Sequence, residues 1–495
     1  MRRKAQDAAS RPVYAYGLAL LLCLVTVAGC AVGPDYHPVQ TPVPSTWAGP
    51  TPTPATQPTA AAVPDLVHWW TTFDDPILSS LVERAVQSNL DLKLAEARIR
   101  QARASRGIAV GGLGPTVDAE GSFKRSLSSG TQAGKTARVT SNQYQAGFDA
   151  AWELDIFGGV RRNVEAADAD LQAAVEGHRD VLVTLAAEVA VNYIDLRAYQ
   201  QRMVTAQDNL KAQKHTAELT RKRFLVGFVG GLDVANADAL VATTSAQIPL
   251  LEISSRQAIY SLSLLLGREP AALMEELSPA SAIPAAPPLV PVGVPSDLLR
   301  RRPDILKAEA EIHAATARIG VATADLFPKV TLSGSMGYQS NQFGSWLDWV
   351  NRFWSFGPSV NWQIFSTGRT LSNIELQRAF QEQSFIAYQQ TVLTAMQEVE
   401  NALIASAKEQ EHRNALMDAV AANRKAVDLA TRLYIQGQTD FLNVLSAQRS
   451  LYSSEDALAQ STRTVSTNLV ALYKALGGGW EELPQELPDL TLIPH

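Results

Sequence analysis

The sequence predicts an α+β membrane protein in which strands from several chains share a β-barrel and very long helices form coiled coils. Three observations lead to this class. Four short segments alternate apolar and polar side chains, two long proline-free stretches carry apolar residues at a 3.5-residue period, and a unit of about 210 residues occurs twice.

The N-terminus has the layout of a secretory signal, with a basic start and an apolar core that ends at Val27. Val27-Ala28-Gly29-Cys30 resembles a bacterial lipobox, which makes Cys30 the predicted lipid attachment site; an ordinary signal peptide containing a cysteine is the alternative. Both cysteines lie in this region, so no disulfide framework is expected downstream. The formal net charge of −6 gives no reason to expect nucleic-acid binding.

Residue matches at a nearly constant offset define a tandem repeat. The matched pairs include Asp91 and Asp304, Pro115 and Pro328, Gly227 and Gly437, and Leu232 and Leu442. The predicted divisions are a lipoprotein signal peptide at 1–29, a lipidated Pro-rich linker at 30–64, repeat 1 at 65–278, a second Pro-rich linker at 279–296, repeat 2 at 297–479 and a C-terminal tail at 480–495.

Each repeat is expected to begin with a helix, at about 80–110 and 297–326, and to continue with two strands. The strand-like segments are 117–124, 144–154, 330–338 and 356–364. Strands of this length with one apolar face fit an outer-membrane barrel, and the alternative is a soluble four-stranded sheet. The apolar face carries the aromatic residues Tyr144, Trp152, Tyr338 and Trp362.

Four strands cannot close a barrel, and an open strand edge cannot exist in lipid. The barrel must therefore be shared between copies of the chain. Three copies give twelve strands, which is wide enough for a pore. Closure by itself also allows two or four copies.

A very long helix, a glycine-containing turn and a second long helix follow the strands in each repeat. The stretch from Val160 to Val226 spans 67 residues, about 100 Å if it is helical throughout. Apolar seams at Leu171, Val175, Leu182, Val189 and Leu196, and at Phe385, Tyr388, Val392, Ala395 and Val399, predict coiled coils.

Two segments resemble the TolC-type outer-membrane efflux proteins, and within them the NodT/OprM-type lipoprotein branch. The first is VPSDLLRRRPDI at 294–305 with Ala308-Glu309-Ala310 and Phe327-Pro328 after it. The second runs from Tyr434 through Gly437 and Asp440-Phe441-Leu442-Asn443-Val444-Leu445 to Arg449. The resemblance covers roughly residues 65–480.

The resemblance implies a homotrimer with a 12-stranded barrel in the outer membrane, continuous with a periplasmic helical coiled-coil barrel that closes at its tip. The implied partners are outer-membrane lipid, a periplasmic membrane-fusion adaptor and an inner-membrane pump of the resistance-nodulation-division (RND) class. No cofactor is implied beyond the lipid on Cys30, and no metal. Nucleic acid is not an expected partner.

The resemblance also places the periplasmic gate just after the turns between the long helices. Its candidate residues are Asp233, Asn236, Tyr434, Asn443 and Ser446, with Asp440 and Leu442 as neighbouring candidates. TolC has carboxylates at the positions of Asn443 and Ser446, so the charge at the constriction differs in this chain. The alternative for Asp233 and Asp440 is that they cap the helices that follow.

The predicted function is passive conduction of small molecules, drugs or other toxic organic compounds, from the pump to the outside. Alternatives on the same fold are a copper or silver efflux channel, a type I secretion channel and a structural trimer. No catalytic constellation supports an enzyme: Gly134-Lys135-Thr136 lacks the first glycine of a phosphate loop, since position 129 is Ser129.

Overall fold

The computed structural model describes residues 31–49, 66–128, 139–285 and 295–480. Within these ranges the chain forms nine α-helices and one sheet of four strands. The helices are α1 (Pro76–Ser88), α2 (Leu90–Gly111), α3 (Gly159–Leu225), α4 (Gly231–Leu265), α5 (Met274–Leu277), α6 (Pro295–Arg301), α7 (Pro303–Ala324), α8 (Arg369–Ile435) and α9 (Phe441–Ala475). The strands are β1 (Thr116–Leu127), β2 (Thr140–Leu154), β3 (Lys329–Ser340) and β4 (Arg352–Asn361).

Contacts group the chain into two compact units. The first combines Met1–Gln40, Ile99–Ala174 and Ala308–Tyr388, and it contains all four strands named above. The second combines Thr41–Arg98, Val175–Lys307 and Gln389–His495. Each unit draws segments from both copies of the repeat, so a copy of the repeat is not itself a compact body. The predicted division into repeats and linkers stays a prediction.

The four predicted strands are present, and they form one antiparallel sheet in the order β1-β2-β3-β4. β2 comes from the first repeat and β3 from the second, and they pair along their length, from Tyr144 opposite Ser340 to Leu154 opposite Val330. The centre of the sheet is therefore the seam between the two repeats.

The register confirms that the sheet has one apolar and one polar face, because directly paired residues share a face. The apolar face carries Val117, Phe123, Phe148, Trp152, Leu332, Met336, Phe356 and Val360. The polar face carries Asp118, Glu120, Asp149, Glu153, Thr331, Ser335 and Ser359. The carboxylates of Asp118 and Asp149 belong to directly opposite residues on β1 and β2.

Two glycines face each other at the seam between the repeats. Gly147 of β2 is paired with Gly337 of β3 on the polar face. A Cβ atom added at Gly147 would lie 2.5 Å from the carbonyl oxygen of Met336, and one added at Gly337 would collide with the carbonyl oxygen of Ala146. The strands approach so closely here that neither position has room for a side chain.

The fourth strand differs in its bounds from the predicted segment 356–364. β4 begins earlier, at Arg352, and ends at Asn361, so Trp362 and Ile364 follow the strand. The Trp362 indole donates to the carbonyl oxygen of Leu326 (3.0 Å), and the amide of Ile364 bonds back to the carbonyl of Trp362. These local bonds turn the chain out of the ladder although the apolar alternation continues.

The first long helix matches its predicted length, and the second has the same length. α3 and α8 each contain 67 residues. Leu182, Val189 and Leu196 of the first predicted seam are buried, as is most of the second seam, from Tyr388 to Val399. Among the described helices, none combines the length and the apolar content needed to cross a membrane.

The helix that opens each repeat is broken, which the sequence analysis did not predict. In the first repeat, Asn89 leaves the helical conformation, and its side chain accepts from the amide of Leu92 while donating to the carbonyl of Leu265. In the second repeat, Pro303 occupies the first position of α7, where a missing amide hydrogen costs nothing. Both breaks start a new helix at equivalent positions of the repeat.

Candidate functional site

Two helix hairpins of the second unit end in similar turns, and these turns carry the predicted gate residues. Gly227 lies between α3 and α4 with φ +78°, and Gly437 lies between α8 and α9 with φ +73°. Both adopt the left-handed conformation that glycine tolerates without strain. The amide of the next residue bonds back to the helix in each case, to the carbonyl of Arg223 (2.9 Å) and of Leu433 (2.8 Å).

A buried apolar cluster, here called the tip core, joins the ends of the two hairpins. Its members are Ala217, Ala237, Leu240, Tyr434, Phe441, Val444 and Leu445. All four long helices contribute at least one residue, so the hairpins pack against each other instead of standing apart. A change in the tip core therefore alters how the two turns are held.

Asp233 occupies the third position of α4, and Gly230 is the N-cap. One carboxylate oxygen of Asp233 accepts from the amide of Gly230 at 3.3 Å, as in the return half of a capping box. The capping alternative for Asp233 thus has a hydrogen bond behind it. Asn236 lies one turn further along α4, and both side chains are half-buried.

Tyr434 lies on the buried side of the hairpin and is only 2% exposed. Its hydroxyl is 3.3 Å from the hydroxyl of Thr220, and its ring packs edge-on against Phe441 at 5.7 Å between centroids. A side chain in this position cannot line a passage. Any contribution of Tyr434 to gating must act by holding the hairpins together.

The remaining gate candidates lie at the start of α9. Asp440 is the N-cap of this helix, but its carboxylate makes no capping hydrogen bond. Leu442 is 64% exposed, and Asn443 and Ser446 are also exposed. The side-chain amide of Asn443 donates to the hydroxyl of Thr439 at 2.8 Å. Leu442, Asn443 and Ser446 therefore share an accessible surface, opposite to the buried Tyr434.

Arg223 connects the two hairpins, although it was not among the predicted gate residues. Its guanidinium lies 4.6 Å from the ring centroid of Tyr434 and donates to the main-chain carbonyl of the same residue. A signal was present in the repeat: at offset 210, Arg223 of the first copy corresponds to Leu433 of the second. A cation that replaces an apolar residue at one copy of a repeat marks a position where the copies take different roles.

A short polar layer lies next to the tip core, between α3 and α9, and no motif predicted it. The Gln448 amide donates to the hydroxyl of Thr216 at 2.9 Å, and both residues are buried. The neighbouring Gln213 is 3% exposed, and neither polar atom of its side chain has a hydrogen-bond partner in the described chain. Such a layer fixes the register of packed helices at some cost in stability.

The Arg-rich segment that carries the family resemblance is part of the second unit's core. Arg302 is 8% exposed and forms ion pairs with Asp304 (2.7 Å) and Glu398 (2.6 Å). It also donates to the carbonyl of Ala475, the last residue of α9 (3.0 Å). Arg302 thus joins the start of α7 to α8 and to the end of α9.

Cys30 lies outside the described residues, but the chain directly after it is placed in the first unit. The amide of Val32 donates to the carbonyl of Phe157 (3.0 Å), and Gly33 packs on Gly320 of α7. Residues 31–36, here called the N-terminal strap, thus start at the junction where β2 passes into α3.

Arg162 and two residues of α7 hold the strap in place. Asp35 pairs with the buried Arg162 at 2.5 Å, and the hydrogen bond and charge of Arg162 hold the pKa of Asp35 below its usual value. Tyr36 donates to Glu309 (2.9 Å) and stacks on His313 with centroids 4.2 Å apart.

The described residues contain no group of three or more His, Cys, Asp or Glu side chains that could hold a metal ion.

Comparisons with known proteins agree with this geometry. The family model described as "Outer membrane efflux protein" matches residues 81–268 and 294–478. Nodulation protein T of Rhizobium leguminosarum bv. trifolii is 35% identical over 456 residues, covering 92% of this chain and 95% of that protein. The toluene efflux pump outer membrane protein TtgC of Pseudomonas putida is 33% identical, covering 94% of this chain and 96% of that protein.

The same fold is found among solved structures. That of the outer-membrane channel OprN superposes with a TM-score of 0.84 at 38% identity, covering 91% of this chain and 100% of that chain. The matches confirm the predicted fold class, the trimeric outer-membrane channel with long periplasmic helices, and the predicted role as the outer-membrane channel of an efflux system. The chain belongs to the outer membrane efflux protein family.

Proposed function

We propose that three copies of this chain form the exit duct of a tripartite efflux system and conduct small toxic organic compounds out of the cell. The observation that carries the proposal is the sheet itself: one face is apolar, the other is polar, and in the described chain β1 and β4 each pair with a single strand. In lipid these two edges need partners. Pairing of β4 with β1 of the next copy satisfies both edges and produces a ring.

The polar face of such a ring lines the passage. It carries Asp118, Glu120, Asp149 and Glu153 beside several hydroxyl side chains, and among the described residues the only basic groups on it are Lys124 and Lys329. A wide, hydrated and mostly acidic wall conducts without selecting strongly. We therefore assign the choice of substrate to the pump and not to the channel.

The ends of the helix hairpins support docking of a periplasmic membrane-fusion adaptor. The turn regions expose several large apolar side chains, among them Leu225, Val226, Phe228, Leu232, Ile435 and Leu442. Leu232 and Leu442 are equivalent residues of the two repeats and are 74% and 64% exposed. Apolar groups concentrated at one end of a protein favour association with another protein. An adaptor there would couple the channel to an inner-membrane RND-type pump.

The position of the N-terminal strap supports lipid attachment at Cys30. Ala31 packs against Gly158, between β2 and α3, where the strands give way to helices. A lipid on the preceding residue would therefore start at the periplasmic boundary of the barrel, next to the inner leaflet of the outer membrane. Several acyl chains would hold this end firmly, since a single chain binds only marginally.

A susceptibility panel on a strain that lacks the gene tests the function. The panel contains toluene, hydrophobic antibiotics and cationic dyes, beside copper and silver salts. We expect hypersensitivity to the organic compounds that is reversed by the intact gene. Sensitivity confined to the metal salts would contradict the proposal and support a metal efflux channel.

Two variants sharpen the panel. Cys30→Ser should leave the protein mislocalised or poorly assembled and restore resistance incompletely. A double exchange of the tip leucines, Leu232→Ser with Leu442→Ser, should preserve the trimer on a native gel but fail to restore resistance, because the adaptor surface is lost. Full restoration by the tip variant would contradict docking at the turns.

A further inference from the structure

The charged residues of the sheet are divided unequally between its two faces. Six charged side chains of the four strands lie on the polar face: Asp118, Glu120, Lys124, Asp149, Glu153 and Lys329. Only Arg125 and Arg352 lie on the apolar face, as the alternation from Phe123 and the pairing of Arg352 with Tyr338 establish. The membrane-facing side of the strands thus carries two positive charges and no negative one.

Both arginines lie at the same end of the sheet. Arg125 is near the end of β1, two residues before Leu127, and Arg352 is the first residue of β4. The helices attach at the opposite end of the strands, next to Thr116 and Leu154. Since the helices extend into the periplasm, the arginines are at the outer-leaflet end of the barrel.

Aromatic side chains surround this end of the apolar face. Phe123 and Tyr144 pack with centroids 4.8 Å apart, and Tyr144 contacts Phe343 at 5.5 Å. The guanidinium of Arg352 lies 4.1 Å from the ring centroid of Trp349 and donates to its carbonyl at 2.9 Å. Aromatic residues at such a boundary mark the level of the lipid headgroups.

A guanidinium at headgroup level has a specific preference. It presents a planar set of donors that matches a phosphate in a bidentate manner. Both arginines are exposed, and neither has a carboxylate within ion-pair distance in the described part of the chain. The acidic groups that could compete for them lie on the other face of the sheet.

We propose that Arg125 and Arg352 bind the phosphate groups of a phosphorylated glycolipid in the outer leaflet, with Trp349 against its apolar part. The inference rests on the proposed function, because it needs the shared ring. In one chain β1 and β4 are separated by two strands, about 14 Å at 4.8 Å per strand. In the ring β4 of one copy lies beside β1 of the next, so the two arginines flank each seam and the site is complete only between copies.

Native mass spectrometry of the detergent-solubilised protein tests this assignment. The probes are diphosphorylated lipid A, the same lipid without phosphates, and phosphatidylcholine. We expect the wild-type trimer to prefer the diphosphorylated lipid, and the R125Q/R352Q variant to bind it at least about tenfold more weakly, as expected from two lost cation–phosphate contacts at a surface.

Lys124→Gln is the matched control, since it removes one positive charge from the neighbouring residue on the opposite face. It should bind the diphosphorylated lipid like the wild type. Equal binding by R125Q/R352Q, equal binding of the dephosphorylated lipid by the wild type, or the same loss in Lys124→Gln would each overturn the assignment.

The same mass spectra also report the oligomeric state, which distinguishes failure of the lipid site from failure of the shared barrel. An intact trimer with indifferent lipid binding would refute the lipid site and leave the shared barrel standing. Absence of a trimer from otherwise folded protein would refute the shared barrel, and the seam site with it.

Discussion

Arg223 of α3 holds Tyr434 of α8 twice, through the face of its ring at 4.6 Å and through its main-chain carbonyl. The two residues belong to different hairpins and different repeats, so this contact ties together the two ends that the predicted gate must move. Tyr434 is buried in the tip core on one side and faces Arg223 on the other.

Removing the contact between Arg223 and Tyr434 should favour an open tip. A cation–π contact and a charge-assisted hydrogen bond together contribute about 2 kcal/mol, so Arg223→Ala should shift a closed–open equilibrium about 30-fold towards open. Single-channel conductance in planar bilayers measures the shift. Arg221→Ala is the matched control, because Arg221 pairs with Asp238 of its own hairpin. Equal conductance of the two variants would show that Arg223 does not restrain the tip.

The two aspartates near the turns should differ in their effect on helix stability. Asp233→Ala removes the hydrogen bond to Gly230 and should destabilise the start of α4 by about 1 kcal/mol. Asp440→Ala should have a smaller effect on α9, because Asp440 makes no capping bond. Hydrogen exchange at residues 230–236 and 440–446 distinguishes the two.

Asp233→Asn separates capping from charge in the same region. It keeps an acceptor oxygen for the amide of Gly230, so exchange rates should stay near those of the wild type. A change in cation block of the conductance, without a change in exchange, would support a gate role for the Asp233 carboxylate. Unchanged conductance would leave Asp233 as a capping residue alone.

Much of the fold could be predicted from the sequence, since period two in the strands and period 3.5 in the helices each follow from burial of one face. The positions at which helices and strands end were harder to predict. Trp362 continues the apolar alternation of β4, yet its indole bonds to Leu326 and lies outside the strand. The break at Asn89 depends on the carbonyl of Leu265, which is remote in sequence.

The candidate site, too, could be predicted only in part. Motif positions identified the turns and the residues on them, but not which side chains face inwards. Tyr434 and Leu442 were equivalent candidates in the sequence, and the structure buries the first and exposes the second. Arg223 belongs to neither of the two family-like segments, and its role depends on a contact between helices that are distant in the chain.

The glycine pair at the seam should be intolerant of any side chain. Gly337→Ala places a Cβ against the carbonyl of Ala146, and overpacking of this kind costs about 1–3 kcal/mol in each chain of the assembly. We expect loss of the trimer band on seminative gels of outer membranes. Gly357→Ala is the control, since it lies in β4 on the same face with nothing within 4 Å. A normal amount of Gly337→Ala trimer would contradict the close approach of β2 and β3.

The N-terminal strap should detach at acid pH. The folded pKa of Asp35 is lowered by Arg162, so its contribution is fully present above the unfolded value of 3.8 and is lost as the pH falls through the lower folded value. The protection of residues 31–36 against hydrogen exchange, relative to the intrinsic rate at each pH, should therefore be unchanged from pH 7 to about pH 4 and fall below it. Asp35→Asn should show lower protection at neutral pH and no such fall. Loss of protection already near pH 6 would point to another group.

The pairing of β2 with β3 determines the order in which parts of the sheet can form. Leu154 is paired with Val330, so the contact joins residues 176 positions apart in the sequence, with the whole hairpin of α3 and α4 between them. Contacts this distant in sequence form slowly, and until they do the strand edges are open to wrong partners. The central ladder of the sheet cannot exist before the second repeat has been exported. The facing edges of β2 and β3 therefore have no partner from the other repeat until the polypeptide that carries both has reached the periplasm.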